Sequence, residues 1–124
     1  MATKTGGGAN HLTVQESKNI KLGQLGSMTT KASQDAITPP DGTVFIAITM
    51  LYDGVKFDST GGLIAEDPTK YINTAQASTG GGGAGGIVID NTVTFPQGLT
   101  IYGRWTEIDV DTGTYGGVIA YIGV

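Results

Sequence analysis

Apolar residues along this chain come in short β-branched runs separated by turn residues, and no run keeps a helical period. Residues 43–51 (Thr-Val-Phe-Ile-Ala-Ile-Thr-Met-Leu) are nearly all apolar, which predicts a strand buried on both faces. Residues 39–42 (Pro-Pro-Asp-Gly) precede it and mark the start of the folded part, because two prolines fix the backbone and stop any helix. Asp53 and Gly54 follow as a two-residue hairpin signal that would return Val55, Lys56 and Phe57 beside the first strand. Leu63, Ile64 and Ala65 form a further short apolar piece, closed by a turn at Asp67 and Pro68.

The last third has the clearest pattern. Residues 87–89 and 92–95 predict short strands around Asp90 and Asn91, and residues 96–98 (Pro-Gln-Gly) a turn. Residues 99–110 predict a long strand, 111–116 a loop, and 117–123 the last strand, so the two strands read as a hairpin. Leu99, Ile101, Gly103 and Trp105 share one face by period two, whereas Ile108 and Val110 fall on the other parity. Such a flip predicts a bulge between Trp105 and Ile108. Gly103 would leave room for an aromatic ring or a close backbone, and Trp105, with Ile101, Tyr102 and Tyr121, is a candidate for the core or a subunit interface.

Residues 1–38 read differently. Gly6, Gly7 and Gly8 have nothing to pack, and Leu12, Val14, Ile20, Leu22 and Leu25 are apolar but irregularly spaced, with Gly23 and Gly26 between. We read 1–38 as an extended N-terminal arm with at most one short strand, and 39–124 as the β domain. The five apolar arm residues are its candidate partner contacts. The expected fold class is all-β: a small antiparallel sandwich or barrel with Gly-rich loops.

Composition supports one domain in 124 residues, with 21 Gly and only 15% charged residues. The absence of cysteine excludes disulfides and thiolate metal sites. A net charge of −4 with seven basic residues argues against a nucleic-acid partner. Four of the seven (Lys4, Lys18, Lys21, Lys31) lie near the N-terminus, where they either steer that segment toward an acidic surface or make it a solvated tail. No apolar run approaches the about 20 residues of a membrane span, and the N-terminus lacks the apolar centre of a signal peptide, so a soluble, cytoplasmically made chain is expected.

Candidate chemistry is sparse. The glycines of 80–86 are followed by Ile87, Val88 and Ile89 rather than the Lys and Ser/Thr of a phosphate loop, so a flexible exposed loop is expected instead. His11 is the single histidine, which excludes a histidine cluster within one chain. Glu107, Asp109 and Asp111 alternate on one strand parity. A solvated face that discourages edge aggregation is the expected reading, with a calcium loop and a glycosidase-type carboxylate pair as alternatives. Arg104 is expected to pair with a carboxylate across a strand. No catalytic residue, cofactor or metal is assigned, and the chain is not expected to be an enzyme.

Residues 95–108 (Phe-Pro-Gln-Gly-Leu-Thr-Ile-Tyr-Gly-Arg-Trp-Thr-Glu-Ile) and 118–123 (Val-Ile-Ala-Tyr-Ile-Gly) resemble the ends of small virion proteins of tailed bacteriophages, especially marine and cyanobacterial phages. Residues 39–48 and the Ser/Thr/Gly-rich loop are similar to that group too, so the likeness spans about 39–123. The resemblance implies a structural virion component, and a capsid decoration (cement) protein first. Its expected partners are the major capsid protein and other copies of itself, with a trimer as the arrangement a threefold position would accept. Its expected location is the capsid surface. A tail or head fibre module that binds a receptor is the alternative, with Tyr52, Tyr102, Tyr115 and Tyr121 able to supply an aromatic groove.

Overall fold

The computed structural model describes residues 25–76, 82–113 and 116–124. These residues form no helix and five strands: β1 (Ser27–Lys31), β2 (Val44–Met50), β3 (Leu63–Ala65), β4 (Thr100–Ile108) and β5 (Gly117–Gly123). All are in one sheet of order β1-β5-β2-β4-β3, and every neighbouring pair is antiparallel. The described residues are therefore all-β, as the sequence pattern predicts. The layer facing the sheet is built of loops rather than a second sheet. Val55 bridges Phe95, Phe57 bridges Val110, and Thr74 bridges Ile89, each as a single isolated bridge.

β2 holds the centre because it is the most apolar strand, and a central strand has no polar edge to show to water. Pro40 accepts a hydrogen bond from the Thr43 backbone at 3.1 Å, with Gly42 at φ 81°, so a type II turn launches β2. Inside β2 the pairing with β5 slips between Phe45 and Ala47, which leaves Ile46 as a bulge residue. The slip lets Phe45, Ile48 and Met50 all reach the core although their spacing breaks strict alternation. β4 slips in the same way. Ile64 pairs with Glu107 and Ala65 with Trp105, so Thr106 is the extra residue, within the interval where the parity change predicts a bulge.

Trp105 is fully buried at the middle of the core, its indole N–H bonded to the Ile72 carbonyl at 2.8 Å. A methyl group on Gly103 would lie 2.8 Å from two ring carbons of Trp105, so the glycine does make room for the aromatic ring. Phe57 and Phe95 meet edge to face, centroids 5.5 Å apart. Loop layer and sheet are joined by polar pegs. Buried Thr74 accepts from the Leu63 backbone at 2.8 Å, and buried Asn73 donates to the Pro68 and Tyr71 carbonyls.

Three expectations change. Strands 99–110 and 117–123 exist as β4 and β5, but they are not a hairpin, because β2 lies between them. The connection crosses one strand, a distance that the eight residues between β4 and β5 are long enough to span. Gly54 does turn the chain, at φ 87°, yet Val55 and Phe57 join the loop layer instead of returning beside β2, whose two edges are taken by β4 and β5. The stretches 87–89 and 92–95 contribute one bridge each, at Ile89 and Phe95, rather than strands. In addition, the sheet recruits residues from the stretch assigned to the arm: β1 pairs with β5 from Ser27↔Tyr121 to Lys31↔Gly117, and Ile37 bridges Ile108. Met28 and Thr30 turn inward there, which ties residues 27–37 to the β domain and moves its boundary ahead of 39.

Candidate binding face and edge

Loops cover one face of the sheet, and no other element of the described residues lies over the second, open face. Val118, Ala120 and Ile122 point into the core, so by alternation Ile119 and Tyr121 point outward. Pairing sets the outward residues in rows across the strands. One row is Ser27, Tyr121, Ala47 and Tyr102; the next is Thr29, Ile119, Thr49 and Thr100. Tyr102 is 68% exposed, whereas Ala47 beside it is fully buried, so its neighbours close over its methyl group. Thr49 and Thr100 share a hydrogen bond of 2.8 Å between hydroxyls. No charged side chain stands in either row.

The two sheet edges differ. The edge at β3 is occupied: Thr74 bonds to Leu63 and the Gln76 side chain accepts from the Ala65 backbone at 3.0 Å. β1 ends the sheet on the other side. Gly26 accepts from Ile122, and Ala32 donates to Gly116, so the even-numbered residues of β1 turn their backbone groups toward β5. Ser27, Thr29 and Lys31 therefore present theirs to the outer edge, where no other strand of the described residues pairs with them. A surface cleft of about 370 Å³ sits at the same corner, lined by Thr29, Lys31, Gln34, Leu51 and Gly117 among others.

The candidate residues fall as follows. Trp105 is core, and Ile101 packs half-buried against it. Tyr102 and Tyr121 belong to the open face instead of the core. Leu25 is exposed directly before β1, while Leu12, Val14, Ile20 and Leu22 lie outside the described residues, as do His11 and Tyr115. Arg104 pairs with Glu66 at 2.6 Å and donates to the Val124 carbonyl at 2.9 Å, the cross-strand carboxylate pair its position predicts. The pair is largely exposed, so solvent screens its attraction.

The acidic triplet regroups. Glu107 pairs with Ile64 on β3, while Asp109 and Asp111 meet Asp58, which strand parity could not reveal because it comes from the loop layer. The Asp58 backbone donates to the Asp109 carbonyl at 3.1 Å, and Asp111 accepts from the Gly113 backbone at 2.9 Å. Among the described residues, no three acidic or histidine groups are arranged to hold a metal ion. Burial first, then the charge and hydrogen bond of Asp109, then those of Asp111, push the Asp58 carboxyl up to about 6.

That shift has a sign that can be measured. The folded state binds the Asp58 proton more tightly than the unfolded chain, whose carboxyl titrates near 3.8. The group therefore favours folding below about pH 4, and the advantage is lost as pH rises through about 6. The full shift would approach 3 kcal/mol, and solvent screening at this partly exposed carboxyl reduces it to about 1 kcal/mol. Asp58→Asn is expected to raise stability by about that amount at pH 7 and to leave it unchanged at pH 4. Urea unfolding of both proteins across this range checks it, and equal gains at both pH values would refute it.

No helix of the described residues is long and apolar enough to cross a membrane. Comparison of the chain with protein-family models, curated proteins and solved structures finds no match.

Proposed function

We propose that this chain is a structural, non-catalytic virion component of a tailed bacteriophage, first of all a capsid decoration protein that binds the assembled major capsid lattice. The observation that carries the reading is the outer edge of β1, unpaired among the described residues, where Ser27, Thr29 and Lys31 turn their backbone groups away from the sheet. An uncovered edge strand is a template on which a strand from another chain can pair. Apart from the inward-turned Met28 its side chains are polar, so the edge is soluble while unoccupied. The segment 1–24 leads into this edge and carries Leu12, Val14, Ile20 and Leu22 as further contacts along a capsid subunit. Many equivalent sites on a shell would add up weak single contacts into stable attachment, and binding only the assembled state would stabilise the head. The resemblance of 95–108 and 118–123 to phage virion proteins supports the same class.

The test separates edge from arm. Proline at position 29 removes an outward backbone donor without touching the β1–β5 hydrogen bonds, and proline is tolerated on edge strands. Thr29→Pro is expected to abolish attachment to purified shells, measured by co-sedimentation, at a stability cost within about 1 kcal/mol. Removal of residues 1–24, which leaves β1 whole, is expected to weaken attachment. Full attachment by both variants would reject the proposal.

A further inference from the structure

The open sheet face carries a second surface that edge pairing does not use, and we infer that Tyr102 and Tyr121 form a platform for a neutral, extended β-1,4-linked polysaccharide. The two tyrosines stand in one row on β4 and β5 with only Ala47 of β2 between them. Strands repeat at about 4.8 Å, so the two residues are spaced about 10 Å apart across the sheet. Two successive sugar rings of an extended β-1,4 chain span that length. Each ring in such a chain is turned over relative to the last, so alternate rings offer the same apolar face, and a pair of aromatic side chains at this spacing would meet like with like.

The surroundings fit the same occupant. Ala47 carries only a methyl group, over which its neighbours close, so its own side chain does not stand up between the tyrosines. Tyr102 is 68% exposed on a strand whose other aromatic residue, Trp105, is fully buried, which makes it an aromatic ring held out to solvent on a rigid element, and Tyr121 is half-buried. Thr49 and Thr100 run alongside in the neighbouring row and offer hydroxyls to sugar hydroxyls. Charge separates the candidates: the chain has net charge −4, which repels an acidic polymer, while the two rows themselves are uncharged and suit a neutral one. The contact would run perpendicular to the strands, across β5, β2 and β4, and leave the free edge of β1 available.

Native gel electrophoresis of the full chain through hydroxyethylcellulose, glycol chitin and alginate tests this, with titration of chitohexaose and cellohexaose giving affinities. Retardation is expected in at least one of the two neutral polymers and none in alginate. Tyr102→Ala is expected to weaken binding about tenfold, Tyr121→Ala by a similar factor, and Tyr102→Phe to restore most of it. Ile87→Ala, which removes an apolar side chain 78% exposed and off this face, is expected to change nothing. Circular dichroism confirms that each variant is folded. Three results would overturn the inference: no retardation of the wild-type chain in either neutral polymer, equal retardation of the tyrosine variants, or a wild-type oligomer that Tyr102→Ala dissociates. The last would assign the face to a second copy of this chain.

Discussion

Trp105→Ala is expected to destabilise the protein by about 4 kcal/mol and to lower its melting temperature by roughly 15–25 °C. The substitution removes the largest fully buried side chain, empties the middle of the core, and leaves the Ile72 carbonyl without its donor. Trp105→Phe keeps most of the apolar area and loses the hydrogen bond, so its cost is expected at about 1–2 kcal/mol. Gly103→Ala acts on the same ring from the other side, because its methyl would lie 2.8 Å from two ring carbons. The two sites are thus coupled. In the double variant Gly103→Ala, Trp105→Ala the clash disappears with the ring, so the combined loss is expected to fall short of the sum of the single losses. Urea unfolding followed by circular dichroism gives all the values, and strict additivity would refute the coupling.

This pair of residues was legible in the sequence, since a glycine two positions before a tryptophan on one strand parity can have few other purposes. So were β2, β3, β4 and β5 as segments, because β-branched runs and turn residues act locally. Order across the sheet was not. Nothing in the pattern of 99–110 and 117–123 reports that β2 inserts between them; only the competition of all apolar faces for one core decides it. β1 was obscured for another reason. Its five residues carry one apolar side chain, Met28, so its alternation is nearly silent, and its place is fixed by pairing to β5.

The functional surface was legible only in part. Tyr102 and Tyr121 stand out as tyrosines near the C-terminal motif, but their common row depends on a residue more than fifty positions away, Ala47, and on the slip at Ile46 that sets its phase. Without that slip, Ala47 would turn inward and the row would lose its floor. The free edge of β1 follows from sheet order and was hidden with it. The acidic group shows the same limit: strand parity found Asp109 and Asp111, while Asp58 reaches them through the loop layer.

That loop junction yields the second large effect. Gly62→Ala is expected to cost about 3 kcal/mol, because the added methyl would lie 2.3 Å from both the backbone N and the backbone O of Asp58. Those atoms belong to the main chain and cannot turn aside as a side-chain end can. The Gly62 carbonyl also accepts from the Asp109 backbone at 2.8 Å, and Asp58 donates to the Asp109 carbonyl, so three segments meet at this point. Relief of the clash must break at least one of these bonds. Gly61 is the internal control. It has φ 73°, which strains any side chain, but the nearest atom to its added methyl is 4.0 Å away, so Gly61→Ala is expected to cost only about 1 kcal/mol. Gly62→Ala should also draw Asp58 away from Asp109 and erase the pH-dependent part of stability that Asp58 contributes, whereas Gly61→Ala should keep it. Equal costs for the two alanines, or an unchanged pH dependence in Gly62→Ala, would show that this contact does not hold the junction together.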